Sequence, residues 1–157
     1  MSDLYELTAV EQRDALRRGE VSARELTEHY LARIESLNPE LGAFITVTAE
    51  KALERARAAD EFQAHGGQLR RLHGLPLAFK DLTDVAGVKT THGSRAVEHA
   101  VAASNHTLVE VLERAGAISL GKTQVPEFGL TSYSENRIAP PARNPLAPAT
   151  SAGGSSG

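Results

Sequence analysis

A chain of 157 residues with 41% hydrophobic residues and a formal charge of −3 fits one soluble globular domain, or a piece of a larger one. A chain of this size buries roughly 68–70% of its unfolded surface. With three Tyr, four Phe and no Trp, its core must be mostly Leu, Val, Ile and Ala. Mild acidity leaves no electrostatic footprint for nucleic acid and no basic face for membranes. The absence of cysteine excludes disulfides, thiolate metal sites and a thiol nucleophile. The first residues lack a basic start and apolar run, and no apolar run is long enough to span a bilayer, so a cytoplasmic enzyme or subunit is expected.

In chain order, Thr8-x-x-Glu11 and Ser22-x-x-Glu25 each have the form of a capping box that opens a helix. After Ser22, the spacing of Leu26, Tyr30, Ile34 and Leu37 predicts a helix with one buried face, stopped by Asn38-Pro39. Ala43 to Val47 is short and rich in strand formers. Thr48 then opens a charged, alanine-rich helix that ends near His65-Gly66-Gly67. Pro76 to Phe79 reads as a second strand. Asn105 is placed to cap a helix through about Ala115, with Leu108, Val111 and Leu112 inward and Gly116 as its stop. Ala117 to Leu120 reads as a third strand. Helices alternating with short apolar strands predict an α/β layer arrangement. From about Ala139 four prolines crowd together, and the chain runs into Gly and Ser. Composition alone allows a flexible linker. Because prolines restrict the backbone, an ordered functional loop is the favoured reading.

Gly116-Ala117-Ile118-Ser119-Leu120-Gly121-Lys122-Thr123 matches the phosphate-binding pattern G-x-x-x-x-G-K-T. That motif needs a strand before the first glycine and a helix at the Lys-Thr end. Here a helix comes first and the apolar strand lies inside the supposed loop, so nucleotide binding is disfavoured. His92, His99 and His106 lie seven apart, but Gly93 and Ser104-Asn105 break any single helix that could stack them. Solvated or singly hydrogen-bonded histidines are expected, with no metal site. Asn105-His106-Thr107 fits the glycosylation pattern and is more simply a helix cap.

Lys80 ends the second strand and precedes Asp81. Such a lysine is commonly a strand-end salt-bridge residue. If buried, however, its pKa falls, and a neutral amine takes a proton from a hydroxyl. Gly153-Gly154-Ser155-Ser156-Gly157 supplies hydroxyls on permissive backbone. A Ser–Lys pairing is one of the few ways to activate serine without histidine.

Several blocks, in order, resemble the amidase signature hydrolases. Leu75-Pro76-Leu77-Ala78-Phe79-Lys80-Asp81, followed by Gly87 to Ser94, is similar to the family's lysine segment. Leu120 to Gly129 is similar to the strand and turn that lead to its substrate loop. Ser134-Glu135-Asn136, Arg143-Asn144-Pro145 and the final Gly153 to Gly157 resemble the run into its signature.

The resemblance implies an α/β fold, the N-terminal part of a mixed β-sheet core covered by helices on both sides. Residues 1–157 would form the N-terminal portion of a single amidase domain. Within it, 1–70 would be mainly helical, 71–138 would hold the strands and Lys80, and 139–157 would form the signature loop. It also implies hydrolysis of linear amide C–N bonds by a Ser–cisSer–Lys mechanism without metal or organic cofactor. Lys80 would be the general base and Ser155 the bridging serine, next to a cis Gly154–Ser155 peptide bond. Gly129, Leu130 and Thr131 would line the acyl pocket, with Gly154 and Ser156 in support. The family's nucleophilic serine lies beyond this cluster, so the chain is expected to be a fragment, inactive alone. Its partners would be a small-molecule amide and either a copy of itself or the remainder of the domain, without nucleic acid or membrane. Pro126-Glu127-Phe128-Gly129 looks more like stand-alone amidases than the A subunit of glutamyl-tRNA amidotransferase, which is the alternative and would add a nucleic-acid partner. A truncated non-catalytic remnant is the reading outside enzymes. The particular amide is not legible.

Overall fold

The structure, a computed structural model, describes residues 4–97 and 100–156. Four longer helices alternate with strands: α1 (Ala9–Arg18), α2 (Ala23–Leu41), β1 (Phe44–Val47), α3 (Ala49–Ala64), β2 (Pro76–Lys80), α4 (Thr107–Arg114) and β3 (Ile118–Thr123). A short hairpin follows, β4 (Arg143–Asn144) and β5 (Ala147–Ser151). The larger sheet has the order β1-β3-β2, and β1 runs antiparallel to β3 with Phe44 opposite Thr123 and Val47 opposite Gly121. This is an α/β fold, as expected. Among the described residues no helix is long and apolar enough to cross a membrane.

The backbone groups into two compact units that interleave along the chain. One consists of Met1–Arg33, Thr48–Leu77 and Val111–Leu120, the other of Ile34–Val47, Ala78–Glu110 and Gly121–Gly157. The first has an apolar interior: Leu16, Ala23, Leu26, Ala52, Ala56 and Ile118 are each 2% exposed or less. Both predicted capping boxes form here. The Thr8 backbone N–H donates to Glu11 at 2.7 Å and the Glu11 N–H to Thr8 Oγ1 at 3.3 Å. Ser22 and Glu25 exchange the same bonds at 2.8 and 3.0 Å. The Asp60 carboxylate on α3 accepts from the Ala23 and Arg24 N–H groups, a second cap on α2 supplied by another helix.

Four element readings need correction. Helix α2 does not stop at Asn38-Pro39 but runs to Leu41. Proline within the last turn removes only one bond, and the Gly42 N–H still closes that turn on the Asn38 carbonyl at 2.8 Å. On its expected inner face Leu26 is buried and Tyr30 and Ile34 are half-buried, but Leu37 is exposed. Helix α4 is capped by His106, whose Nδ1 accepts from the Leu108 N–H at 3.1 Å, because the Asn105 side chain is taken by the Ala86 N–H. In this helix Val109 is fully buried, and Leu108 and Val111, two of the three residues expected inward, are exposed.

The second unit has a different interior. Beside Phe79, Val109, Val125 and Ala142 it buries Asp81, Thr90, Thr91, Ser94, Lys122, Gln124 and Ser134. A polar interior persists only where its groups pair with one another, and here they do.

Candidate active site

Strand β2 ends at Lys80 and delivers its side chain into the second unit, half-buried. Lys80 Nζ donates to Ser155 Oγ at 2.9 Å across 75 residues of chain. The two residues singled out in the sequence are thus in hydrogen-bond contact.

A path of hydrogen bonds carries the Ser155 segment there. The Asn136 side chain donates to the Val125 carbonyl at 2.6 Å and accepts from the Ile138 and Ala139 N–H groups at 2.8 and 3.1 Å. The turn after β3 is thereby stapled to the proline-rich stretch. The Gln124 amide, fully buried, donates to the Pro140 carbonyl. The Ala142 N–H bonds the Ser134 carbonyl and the Ala152 N–H bonds the Ala142 carbonyl, both at 2.9 Å. The buried Ser134 hydroxyl then donates to the Gly154 carbonyl at 3.1 Å, next to Ser155. The proline-rich stretch is therefore an ordered loop, and its β4–β5 hairpin pairs Arg143 with Ser151 and Asn144 with Ala147.

No peptide bond among the described residues is cis, so the Gly154–Ser155 bond is trans, against the expectation. A cis bond before a non-proline residue costs about 3–4 kcal/mol and needs surroundings that impose it. Here a methyl group added at Gly153 would meet nothing within 4 Å, and one at Gly154 nothing nearer than 3.9 Å. Packing that loose leaves the bond in its intrinsic preference. Ser156 is exposed.

The expected substrate segment begins in a 3₁₀ turn, Glu127–Gly129. The Gly129 backbone lies against Leu82, two residues past Lys80, with 2.9 Å between a built Cβ and Leu82 Cδ1. Leu130 is 81% exposed, and the Thr131 hydroxyl donates to the Tyr133 carbonyl at 3.0 Å. The turn is anchored by Glu127, which accepts from the buried Ser94 hydroxyl at 2.6 Å. His92 and Phe128 both take φ of 53°, a left-handed conformation that residues with a Cβ seldom adopt. The Phe128 N–H bonds the His92 carbonyl at 2.8 Å, and the two rings stack with centroids 6.4 Å apart. Strained backbone held by cross-links of this kind is characteristic of functional loops.

Reading the sequence missed the most buried feature of the unit. Lys122 and Asp81, each with a fully buried side chain, form an ion pair at 3.0 Å. Lys122 Nζ also donates to Thr90 Oγ1 at 3.0 Å and to the Lys89 carbonyl at 3.4 Å. The other Asp81 oxygen accepts from both the hydroxyl and the N–H of Thr91. The lysine of the apparent phosphate-binding motif is therefore an internal counter-ion. Strand β3 runs through Gly121-Lys122-Thr123, so no loop forms there to wrap phosphates. A Cβ at Gly121 would strike the Thr46 carbonyl of β1, which accounts for that glycine by close strand approach. The pair also takes Asp81 away from its neighbour: Lys80 has no carboxylate partner among the described residues, contrary to the strand-end salt-bridge reading. His92 and His106 are each held by local contacts, and His99 lies outside the described residues.

The family model described as Amidase matches residues 25–157. The A component of a glutamyl-tRNA(Gln) amidotransferase from Synechococcus sp. is 46% identical over 151 residues, 96% of this chain and 31% of that protein. A solved structure described as part of a vestigial protein complex that reveals the evolutionary origins of an s-triazine catabolic enzyme superposes with a TM-score of 0.91. It is 37% identical and covers 96% of this chain and 33% of its own. A bacterial aryl acylamidase of the amidase signature family superposes with a TM-score of 0.88 at 26% identity, over 96% of this chain and 31% of its own. The chain spans about a third of the length of these relatives. On the match across residues 25–157, the chain belongs to the amidase family, the amidase-signature hydrolases.

Proposed function

We propose that this chain is the N-terminal portion of a single amidase domain that breaks an amide C–N bond by a Ser–Ser–Lys relay. The observation that carries this reading is the 2.9 Å contact between Lys80 Nζ and Ser155 Oγ. Lys80 draws a proton through Ser155 from a nucleophilic serine, which attacks the amide carbonyl. The relay returns the proton to the leaving ammonia or amine, and water then hydrolyses the acyl-enzyme. Gly129, Leu130 and Thr131 border the acyl group, and Gly154 and Ser156 support the bridging serine. The relay uses neither metal nor organic cofactor, and the enzyme works in the cytoplasm on a small linear amide. No residue here matches the family's nucleophile, so the 157 residues supply base and bridging serine and act with further chain, whether the rest of the domain or a second copy.

One observation favours a second reading. The amidotransferase relative is 46% identical along 96% of this chain, which supports an ammonia-releasing component that works with tRNA-binding partners. The Pro126-Glu127-Phe128-Gly129 turn weighs towards a stand-alone amidase. Ammonia release by the product of the whole reading frame separates the two. Release from simple carboxamides without any partner supports the amidase, and release from glutamine only with partner proteins supports the amidotransferase. No ammonia from carboxamides or glutamine, and no aniline from anilides, overturns both. The 157-residue chain alone is expected to release none, and activity that follows the purified chain would refute that expectation.

A further inference from the structure

Asp81 and Lys122 are buried charged groups that the proposed relay does not use, yet one of them adjoins its base. Asp81 follows Lys80 in the chain, and its side chain is fully buried. Its backbone is held from both sides: the N–H donates to the Thr123 carbonyl and the carbonyl accepts from the His92 N–H, each at 3.2 Å. Its Oδ2 accepts from the Thr91 hydroxyl and N–H. Its Oδ1 faces the Lys122 ammonium at 3.0 Å, and no other donor among the described residues reaches that oxygen. Lys122 is kept in place by its bond to Thr90 Oγ1 at 3.0 Å and by its position within β3. All of these residues, with Lys80 and Ser155, belong to the second unit.

We infer that Lys122 is a positioning residue for the proposed amide cleavage: it occupies the Asp81 carboxylate and so leaves the Lys80 nitrogen on Ser155. This rests on the proposed relay and adds to it a residue that acts on the base through Asp81. A carboxylate held away from water draws a neighbouring ammonium far more strongly than a hydroxyl does, because a full opposite charge replaces a dipole. Successive residues are close enough for such a pair, as Arg13 and Asp14 show at 2.7 Å. With Lys122 on Asp81 the competition is absent. Lys80 Nζ then lies 2.9 Å from Ser155 Oγ and has no carboxylate partner among the described residues. A pair that served the fold alone would matter equally from either end. Here the two ends differ. Removing the Lys122 ammonium frees a carboxylate beside Lys80, whereas removing the Asp81 charge frees none.

The test sets Lys122→Met against Asp81→Asn in the product of the whole reading frame. The first readout is ammonia release from a simple carboxamide or from glutamine. Lys122→Met should lose on the order of 10²-fold in kcat, the scale of a misplaced reacting group, with KM little changed, and Asp81→Asn should lose about ten times less. The second readout needs no turnover. The NMR signal of the Lys80 side-chain nitrogen is compared with and without Ser155→Ala, in the parent and in each variant. Ser155→Ala should move that signal in the parent and in Asp81→Asn, but not in Lys122→Met, where the nitrogen has left Ser155. A signal that moves equally in the parent and in Lys122→Met, or a kcat loss as large in Asp81→Asn as in Lys122→Met, overturns this inference alone. A signal that Ser155→Ala does not move in the parent means that the contact is absent, and overturns the relay with it. Circular dichroism checks that each variant folds. If Lys122→Met does not, Lys122→Gln removes the same charge and takes its place with the same expected result.

Discussion

Replacing Lys122 by Met tests whether the buried pair organises the unit that holds Lys80. The substitution keeps an unbranched side chain of similar length but removes the ammonium that faces Asp81 at 3.0 Å, with both side chains fully buried. Asp81 keeps its two bonds from Thr91, so one carboxylate oxygen is stranded, together with the Thr90 hydroxyl that Lys122 also bonds. Breaking a buried pair from one side costs about 3–5 kcal/mol, because the remaining charge has neither water nor a partner. With a urea m-value of about 2 kcal/mol per M for a chain of this size, a loss of about 4 kcal/mol lowers the unfolding midpoint by roughly 2 M. That is a large share of the roughly 5–15 kcal/mol that holds a domain folded. Asp81→Asn with Lys122→Met removes both charges and is expected to recover at least half the loss. Urea unfolding followed by circular dichroism reads both values. A single variant within about 1 kcal/mol of the parent, or a double variant no better than the single, would refute the reasoning.

Three further outcomes are expected. Burial, the largest cause, pushes the His73 imidazole below its ordinary value; Arg17 and Arg70 act the same way, while Asp60 and the Ala59 carbonyl oppose them. Below the unfolded pKa the unfolded chain then binds more protons than the folded one, so stability falls as pH drops from 7.5 towards 5.5, and His73→Gln should flatten that slope in urea titrations. Thr8→Ala removes the acceptor for the Glu11 N–H and should lower stability by about 1 kcal/mol, whereas no change in midpoint would show that α1 needs no cap. Gly121→Ala drives a methyl group into the Thr46 carbonyl and should separate β1 from β3, seen as faster amide exchange at Thr46 and Val47; unchanged exchange contradicts the close approach.

Local features were legible in the sequence because their causes are local. Each capping box joins residues three apart, and each strand is a short run bounded by Gly, Pro or a cap. Pro39 misled because its effect depends on how many bonds remain beyond it, and one turn from the helix end almost none do. The face of α4 was misread because the apolar run Leu108-Val109-x-Val111-Leu112 offers more than one face, and packing buries Val109 while Leu108 and Val111 stay exposed. Lys80 and Ser155 were found through ordered blocks that resemble a family, since a contact across 75 residues leaves no periodicity of its own. Asp81 and Lys122 lay in plain view and were still missed. One looked like the partner of Lys80, the other like a phosphate ligand, and a buried ion pair shows itself only when burial is known.

In the proposed relay, Lys80 is the base and Ser155 the bridging hydroxyl of amide cleavage. The relay's most direct test is the rate of amide hydrolysis by the product of the whole reading frame, measured with Lys80→Met, Ser155→Ala and the double variant. Two groups in one relay fail together, so each single variant should lose on the order of 10²–10⁴ in kcat. The double variant should then be little worse than either. Single variants that keep kcat within a few-fold of the parent, or losses that multiply in the double variant, would contradict the claim.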